Sequence, residues 1–401
     1  MHTIASKTRQ GADRFSAYLG PVGFLAVLFF INFLSRIILA PFMPLIEKDL
    51  GFSHTAAGSL FLFTSAGYFL ALVISGFFSA RWFHRRTIVL SAACLGGALL
   101  FSAFSRDLWQ LRMGLVSVGM AAGLYLPSGL ATITALVHPR HWGKAMGIHE
   151  LAPNLGFMSA PLLAEVMLGW VSWRQVLMLL GGLSLLMALA YSLFGKGGHF
   201  PGKAPDQAAF RILFRLPAFW IMIVLFMLAI TSTMGLYAML PLYLVTEHGM
   251  TRGNANEIVG MSRLLCPIIA FCAGWANDRI GARHTIIMVL AIGGILTILL
   301  GMVHDSRLLI MIVFGQPLAA VCFFPPAFAL LSTIVPAEMS NVAVSLTIPA
   351  AFLIGAGVMP VLIGMMGDWG NFGAGISIAG SMILCGSLLV VFIKPYSGDN
   401  E

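Results

Sequence analysis

GFFSARWFHRR, Gly76 to Arg86, and GWANDRIGARH, Gly274 to His284, stand 198 residues apart in a chain of 401. Each follows one long apolar run and precedes another. They match at Gly76 and Gly274, Arg81 and Arg279, and Arg85 and Arg283. A shared pattern displaced by about half the chain predicts two parallel copies of one unit, with the matched stretches at the same place in each.

Composition says what kind of unit this is. Hydrophobic residues make up 59% of the chain and charged residues 9%, with a mean hydropathy of +0.93. Soluble domains carry about 25% charged residues, so a soluble enzyme or a nucleic-acid-binding protein is excluded. The formal net charge of +8 is read as membrane topology instead. The apolar runs are long enough for helices to cross a hydrocarbon core and lack the short alternating segments of a barrel. The first run shows no small-residue cleavage site and many others follow it, so no removable signal peptide is expected. Cys94, Cys266, Cys272, Cys322 and Cys385 lie in apolar runs without ligand spacing and are expected as packing residues.

Twelve spans can be counted, at 20–45, 57–80, 87–104, 108–137, 143–170, 175–194, 218–245, 257–277, 285–303, 308–334, 342–366 and 372–393. The Gly-, Pro- and Lys-bearing stretch 195–217 reads as a linker, with a short interfacial helix at 210–214. It separates a six-helix unit at 1–194 from a second at 218–401. The fold class is therefore an all-α polytopic membrane protein of twelve transmembrane helices in two six-helix repeats. With an even number of spans both termini share one side. Loops on that side hold 15 Lys and Arg residues and the opposite loops 5. The positive-inside rule predicts cytoplasmic termini, and a bacterial inner membrane is the expected location. The three basic residues left over, Arg36, Arg112 and Arg263, fall inside spans.

GWANDRIGARH resembles the G-x-x-x-D-R-x-G-R-R/K signature of the major facilitator superfamily, with Gly274, Asp278, Arg279, Gly281 and Arg283 in place. The first copy departs from it: Ala80 stands where the acid would be, and Phe83 where the second glycine would be. Arg112 with Gly119, Gly123 and Pro127 is similar to the family's fourth helix. PRHWGKAMG (Pro139 to Gly147) is similar to the loop before its fifth, and Trp173-Arg174 to the start of its sixth. The resemblance covers nearly the whole chain and is specific for the superfamily, not for a subfamily. It implies the major facilitator fold and a gating latch at the cytoplasmic side involving Asp278, Arg279 and Arg81, with Arg112 in a structural or coupling role. It also implies that spans 1, 4, 7 and 10 line a central cavity, reached too by spans 2, 5, 8 and 11.

Arg36 lies in FFINFLSRIILAPFMPL, Phe29 to Leu45. An arginine at that depth costs about 2.5–3.5 kcal/mol to insert, so an anion is expected for it. Arg36 and Arg263 each lie four residues, ~6 Å, to the outer side of their span midpoints. Two guanidiniums at matching depth from opposite halves predict a clamp for a carboxylate, phosphate or sulfonate. The plain alternative is capping of backbone carbonyls or snorkelling, and depth argues against snorkelling. Asn32, one turn before Arg36, with Tyr125, Tyr237 and Gln316, are candidate neutral substrate contacts. His149 and Glu150, ~9 Å to the cytoplasmic side of their midpoint, are candidate proton carriers; pairing of Glu150 with Arg81 or Lys144 is the structural alternative.

No phosphate loop, dinucleotide fingerprint, metal-ligand cluster or nucleophile triad is present. Neither an enzyme nor a cofactor is expected. The expected function is secondary active transport of a small organic anion, a mono- or dicarboxylate, coupled to protons, by a monomer in a lipid bilayer. The rivals are a proton-coupled exporter of hydrophobic or cationic compounds, for which no acid is found in spans 1 and 4, and a non-transporting receptor or scaffold.

Overall fold

The computed structural model describes residues 15–202, 211–335 and 339–393, and these form helices and turns without a strand. Of the 210–214 stretch, residues 211–213 are helical and residue 210 lies outside the described residues. Ten helices are long and apolar enough to cross a membrane, and a bent pair makes eleven. The 50-residue helix His54–Ala103 holds two spans, because Phe83 breaks it with φ 63° and ψ 154°. The spans are α1 (Phe15–Leu50), α2 and α3 (54–82 and 84–103), α4 (Leu108–Leu136), α5 (Pro139–Leu168), α6 (Trp173–Phe194), α7 (Pro217–Thr246), α8 (Arg252–Ala270 with Cys272–Ile280), α9 (Ala282–Met302), α10 (Ser306–Thr333), α11 (Val342–Asp368) and α12 (Phe372–Phe392).

Prolines decide where these spans bend. A helical proline supplies no N–H to the carbonyl four residues back and crowds it. Pro41 acts on Ile37, and α1 breaks at Ile38. Pro127 acts on Gly123, and α4 breaks at Leu124. Pro267 acts on Arg263, and α8 turns at 262–265; there Arg263 N–H donates to Gly260 O and Cys266 N–H to Arg263 O, three residues apart, at 3.2 Å each. Pro325 and Pro326 open the second arm of α10, just after its break at Cys322. Two further departures are π-turns, Thr231–Gly235 in α7 and Phe352–Val358 in α11. They pack together, with Gly235 against the Gly355 carbonyl so closely that no Cβ would fit. Such turns are found frequently at functional sites.

The matched stretches form the same structure. Phe83 (φ 63°, ψ 154°) and Gly281 (φ 84°, ψ 155°) share a conformation that glycine adopts freely and a side chain does not. Arg85 donates to Gly195 O at the end of α6, and Arg283 to Ile393 O after α12. Those two pairs are again 198 residues apart. In each half the motif arginine therefore ties the third helix to the end of the sixth, where a cation also favours the helix C-terminus. The N-terminal copy gains a further brace. Residues 198–202 run along it, with Arg85 N–H on Gly198 O (2.9 Å), His84 N–H on Phe200 O (3.3 Å) and Gly202 N–H on Ser79 O (3.0 Å).

The two halves meet from mid-depth to the face opposite the start of α1 and the end of α12. Near that far face, Gly58 of α2 lies on the Pro360 carbonyl of α11, and Gly364 of α11 on the His54 carbonyl. At the near face the described residues show no hydrogen bond or ion pair between halves. Asp278 is exposed and, among the described residues, accepts a hydrogen bond only from Asn277 (3.3 Å). Arg279 stacks on Trp275 of its own helix (5.0 Å), and Arg81 is exposed. Among the described residues, Asp278, Arg279 and Arg81 make no contact between the halves of the kind the expected cytoplasmic latch would use. Arg112 does not join the halves either: it donates to Ser59 at 3.0 and 2.8 Å and lies against Trp109 and Phe63, all in the N-terminal unit.

Candidate functional site

Arg36 and Arg263 are 6% and 5% exposed. Neither makes an ion pair among the described residues, and the Nε of each is buried without a hydrogen-bond partner. A buried, under-satisfied guanidinium is expensive unless something charged or polar completes it.

Their settings differ. Arg36 lies at the end of the first arm of α1, where the break at Ile38 begins. Its guanidinium sits over Tyr68 of α2 (4.2 Å), Phe33 of α1 (5.0 Å) and Phe352 in the π-turn of α11 (5.5 Å). Cation–π contacts of this kind stabilise the charge and leave the in-plane N–H donors for an anion. The guanidinium borders a cavity of about 20 Å³ walled by α1, α2, α7 and α11, with Thr64, Ser65, Met234 and Tyr237 among its lining. That volume holds about one water, so an organic anion enters only as the walls separate.

Arg263 sits in the turn of α8. Its guanidinium lies over Phe157 of α5 (4.9 Å) and Tyr237 of α7 (5.3 Å), and one terminal nitrogen donates to Thr233 O (3.3 Å) in the π-turn of α7. Phe157 in turn packs on Phe33 (4.9 Å) and edge-on to Tyr237 (4.9 Å), whose hydroxyl donates to the Phe157 carbonyl (3.3 Å). Arg36 and Arg263, expected as a clamp, do not face each other across one cavity in this state. Both touch one aromatic cluster, but Phe33, Phe157 and Tyr237 fill the space between them, and Arg263 does not border the cavity at Arg36.

Of the neutral candidates, Tyr237 lines that cavity and the others do not. Asn32 donates to Ala122 O (3.1 Å), holding α1 to α4 beside the break in α4. Tyr125 donates to Leu25 O (2.6 Å). Gln316 donates to Ser232 O (3.0 Å), Ser232 Oγ (2.9 Å) and Thr297 Oγ (3.3 Å). Asn32 and Gln316 thus bond groups at the break of α4 and the π-turn of α7, while Tyr125 bonds a carbonyl inside the unbroken first arm of α1.

His149 and Glu150 touch but differ in exposure. His149 is fully buried, stacked on Phe29 (4.3 Å) and near Tyr125 Oη (3.4 Å). Its Nδ1 has no hydrogen-bond partner and lies 3.5 Å from the Glu150 carboxylate, which is 58% exposed. Glu150 makes no ion pair with Arg81 or Lys144 among the described residues.

Sequence reading missed the contacts that hold the far face shut. Asp368 of α11 accepts from His54 N–H (2.8 Å), Thr55 N–H (3.0 Å) and the Thr55 hydroxyl at the start of α2 (2.5 Å). Glu165 of α5 accepts from Arg252 Nε and a terminal nitrogen of α8 (2.9 and 3.1 Å) and from Asn256 (2.5 Å), which also reaches Pro41 O (3.1 Å). A carboxylate near the end of a span was the available signal. Its partner lies 87 or more residues away and no spacing rule reveals it.

Two repeats of six spans with a small cavity between them fit a membrane transporter and not an enzyme. The chain belongs to the Major Facilitator Superfamily, whose family model matches residues 25–269. It is 23% identical over 319 residues to a gallate transporter of Pseudomonas putida, covering 70% of this chain and 69% of that one. It is equally 23% identical over 317 residues to a multi-drug resistance efflux pump PmrA homolog of Lactococcus lactis, covering 74% and 76%. The crystal structure of a bacterial homologue of the human lysosomal transporter Spinster superposes with a TM-score of 0.74 at 16% identity, over 95% of this chain and 96% of that one.

Proposed function

We propose that the protein is a secondary active transporter of a small organic anion coupled to protons, with Arg36 as the anion's principal ligand. The observation that carries this reading is the setting of Arg36: 6% exposed, without an ion pair among the described residues, its Nε unpartnered, and bordering a cavity walled by both halves. A carboxylate or sulfonate there takes paired charge-assisted hydrogen bonds, while the surrounding rings hold the guanidinium in place. Access alternates as the halves rock about the cavity, and the closed face in this state is the one opposite the termini. The charge count along the loops makes that the external face of an inner membrane. The likeness to a gallate transporter supports an organic-anion substrate.

Glu150 is the proton carrier in this reading. Its side chain is 58% exposed, and its carboxylate lies 3.5 Å from the His149 ring. Proton entry with the anion offsets the anion's charge. The experiment is uptake into proteoliposomes under an imposed pH gradient, with benzoate as the first probe. Inward acidic drive stimulates wild type, and Glu150→Gln abolishes the stimulation while preserving exchange of labelled for unlabelled benzoate. Stimulation that survives Glu150→Gln refutes its role.

The efflux reading rests on the likeness to a drug efflux pump and on the ring-lined cavity. It predicts transport of a lipophilic cation, which a buried arginine at the cavity opposes. Gradient-driven tetraphenylphosphonium export would favour it over the anion reading.

A further inference from the structure

We infer that Arg263 is a second anion station, and that Phe157 and Tyr237 form a two-leaved partition separating it from Arg36 in this state. The inference rests on the reading of Arg36 as an anion ligand.

Four observations carry it. Arg263 is 5% exposed with an unpartnered Nε and makes no ion pair among the described residues. It therefore has the same unmet need for an anion as Arg36. It sits in a helix turn set by Pro267, facing the π-turn of α7 through Thr233 O. Broken spans are where transporters of this architecture place ligand groups. The rings over its guanidinium, Phe157 and Tyr237, come from different halves, α5 and α7. One weak hydrogen bond of 3.3 Å and one edge-on ring contact of 4.9 Å join them. Finally, Tyr237 has two faces in use: it lines the cavity at Arg36 and covers Arg263.

A partition with one leaf on each rocking body opens when the bodies separate, and no side-chain switch is needed. When the walls at Arg36 have parted enough to admit an anion but Phe157 and Tyr237 still meet, that space presents one cation and a ring-lined wall, which suits a monoanion with an apolar body. When the partition is open, the two guanidiniums face one space and accept a second carboxylate. The anion is thus handed between stations in the cycle, and the partition decides which anions are held by one charge and which by two.

The test uses the purified full chain and measures thermal stabilisation by benzoate and by straight-chain dicarboxylates from malonate to suberate, since ligands of the folded state raise its stability by mass action. Wild type is expected to respond to benzoate, and Arg36→Gln to lose that response. Phe157→Ala, by joining the stations, is expected to tighten the best-fitting dicarboxylate at least tenfold and benzoate less than threefold. The dicarboxylate gain is expected to vanish in Phe157→Ala with Arg263→Gln. Where Phe157→Ala fails to fold, Tyr237→Leu removes the other leaf and carries the same expectation. The inference is overturned if dicarboxylate affinity is unchanged when the leaf is removed, or if the gain persists without Arg263, while benzoate still depends on Arg36. If benzoate binds wild type and Arg36→Gln alike, or binds neither, the anion reading falls and the second station falls with it.

Discussion

The halves meet along two seams that follow one plan with different residues. Along α2 and α11, Arg36 lies at mid-depth between Tyr68 and Phe352, and Asp368 closes the far end on the first turn of α2. Along α5 and α8, Arg263 lies at mid-depth over Phe157, and Glu165 closes the far end on Arg252 and Asn256. The repeat exchanges these seams, since α8 corresponds to α2 and α11 to α5. The chemistry is not repeated with the backbone. Ser65 stands 198 residues before Arg263, and Met234 stands 198 residues after Arg36; both line the Arg36 cavity. The seam geometry is symmetric, and the asymmetry that makes one arginine border a cavity and the other lie behind rings comes from single side chains.

Neutralising each arginine in turn separates the two seams most strongly. Arg36→Gln should lower benzoate uptake about a hundredfold, the scale of ~3 kcal/mol for lost hydrogen bonds to a charged group. Arg263→Gln should lower it about tenfold. Equal losses, read from initial rates at subsaturating benzoate, would turn two stations back into one clamp. The next effect concerns the latches. Glu165→Gln should raise the rate of maleimide labelling at a far-face reporter, Val361→Cys in a background without the five native cysteines, by about tenfold, because it loses a two-pronged arginine pair. Asp368→Asn keeps an acceptor for the α2 amides and should raise it about threefold. A reversed order would place the main lock on the other seam.

The smallest effect tests the comparison at the motif loops, where the backbone of the two halves is the same and the residue is not. Phe83 holds a conformation costing about 1–3 kcal/mol for a side chain. Phe83→Gly should therefore raise stability by about 1 kcal/mol after the entropy of glycine is counted, seen as a higher midpoint in thermal unfolding. Gly281→Phe should lower it by a larger amount. If both changes are neutral, the loops do not share the strain that their shared angles imply.

Much of the fold was legible along the chain because membrane helices leave a one-dimensional record. Apolar length sets the spans, and a proline four residues after a carbonyl sets each of the breaks at Ile38, Leu124 and 262–265. The 198-residue displacement of Gly76–Arg86 and Gly274–His284 reports the repeat. It also aligns two arginine clamps, Arg85 to Gly195 and Arg283 to Ile393, which the reading of the motif as a latch of Asp278, Arg279 and Arg81 left out. The site was legible only as an inventory. Arg36 and Arg263 stand out by insertion cost, but Asn32, Tyr125 and Gln316 looked the same as Tyr237 in sequence, and their tips are taken up by groups of neighbouring helices.

By itself, then, the sequence determined that this protein crosses the membrane in two six-helix repeats and carries two intramembrane arginines, because charge and hydropathy are properties of residues. Only the tertiary structure decided which polar tips are already satisfied, that Phe157 and Tyr237 meet between the arginines, and that Asp368 and Glu165 hold the far face shut. Those are properties of pairs brought together by rocking bodies, with partners 80 to 314 residues apart, and no local pattern in a chain records them.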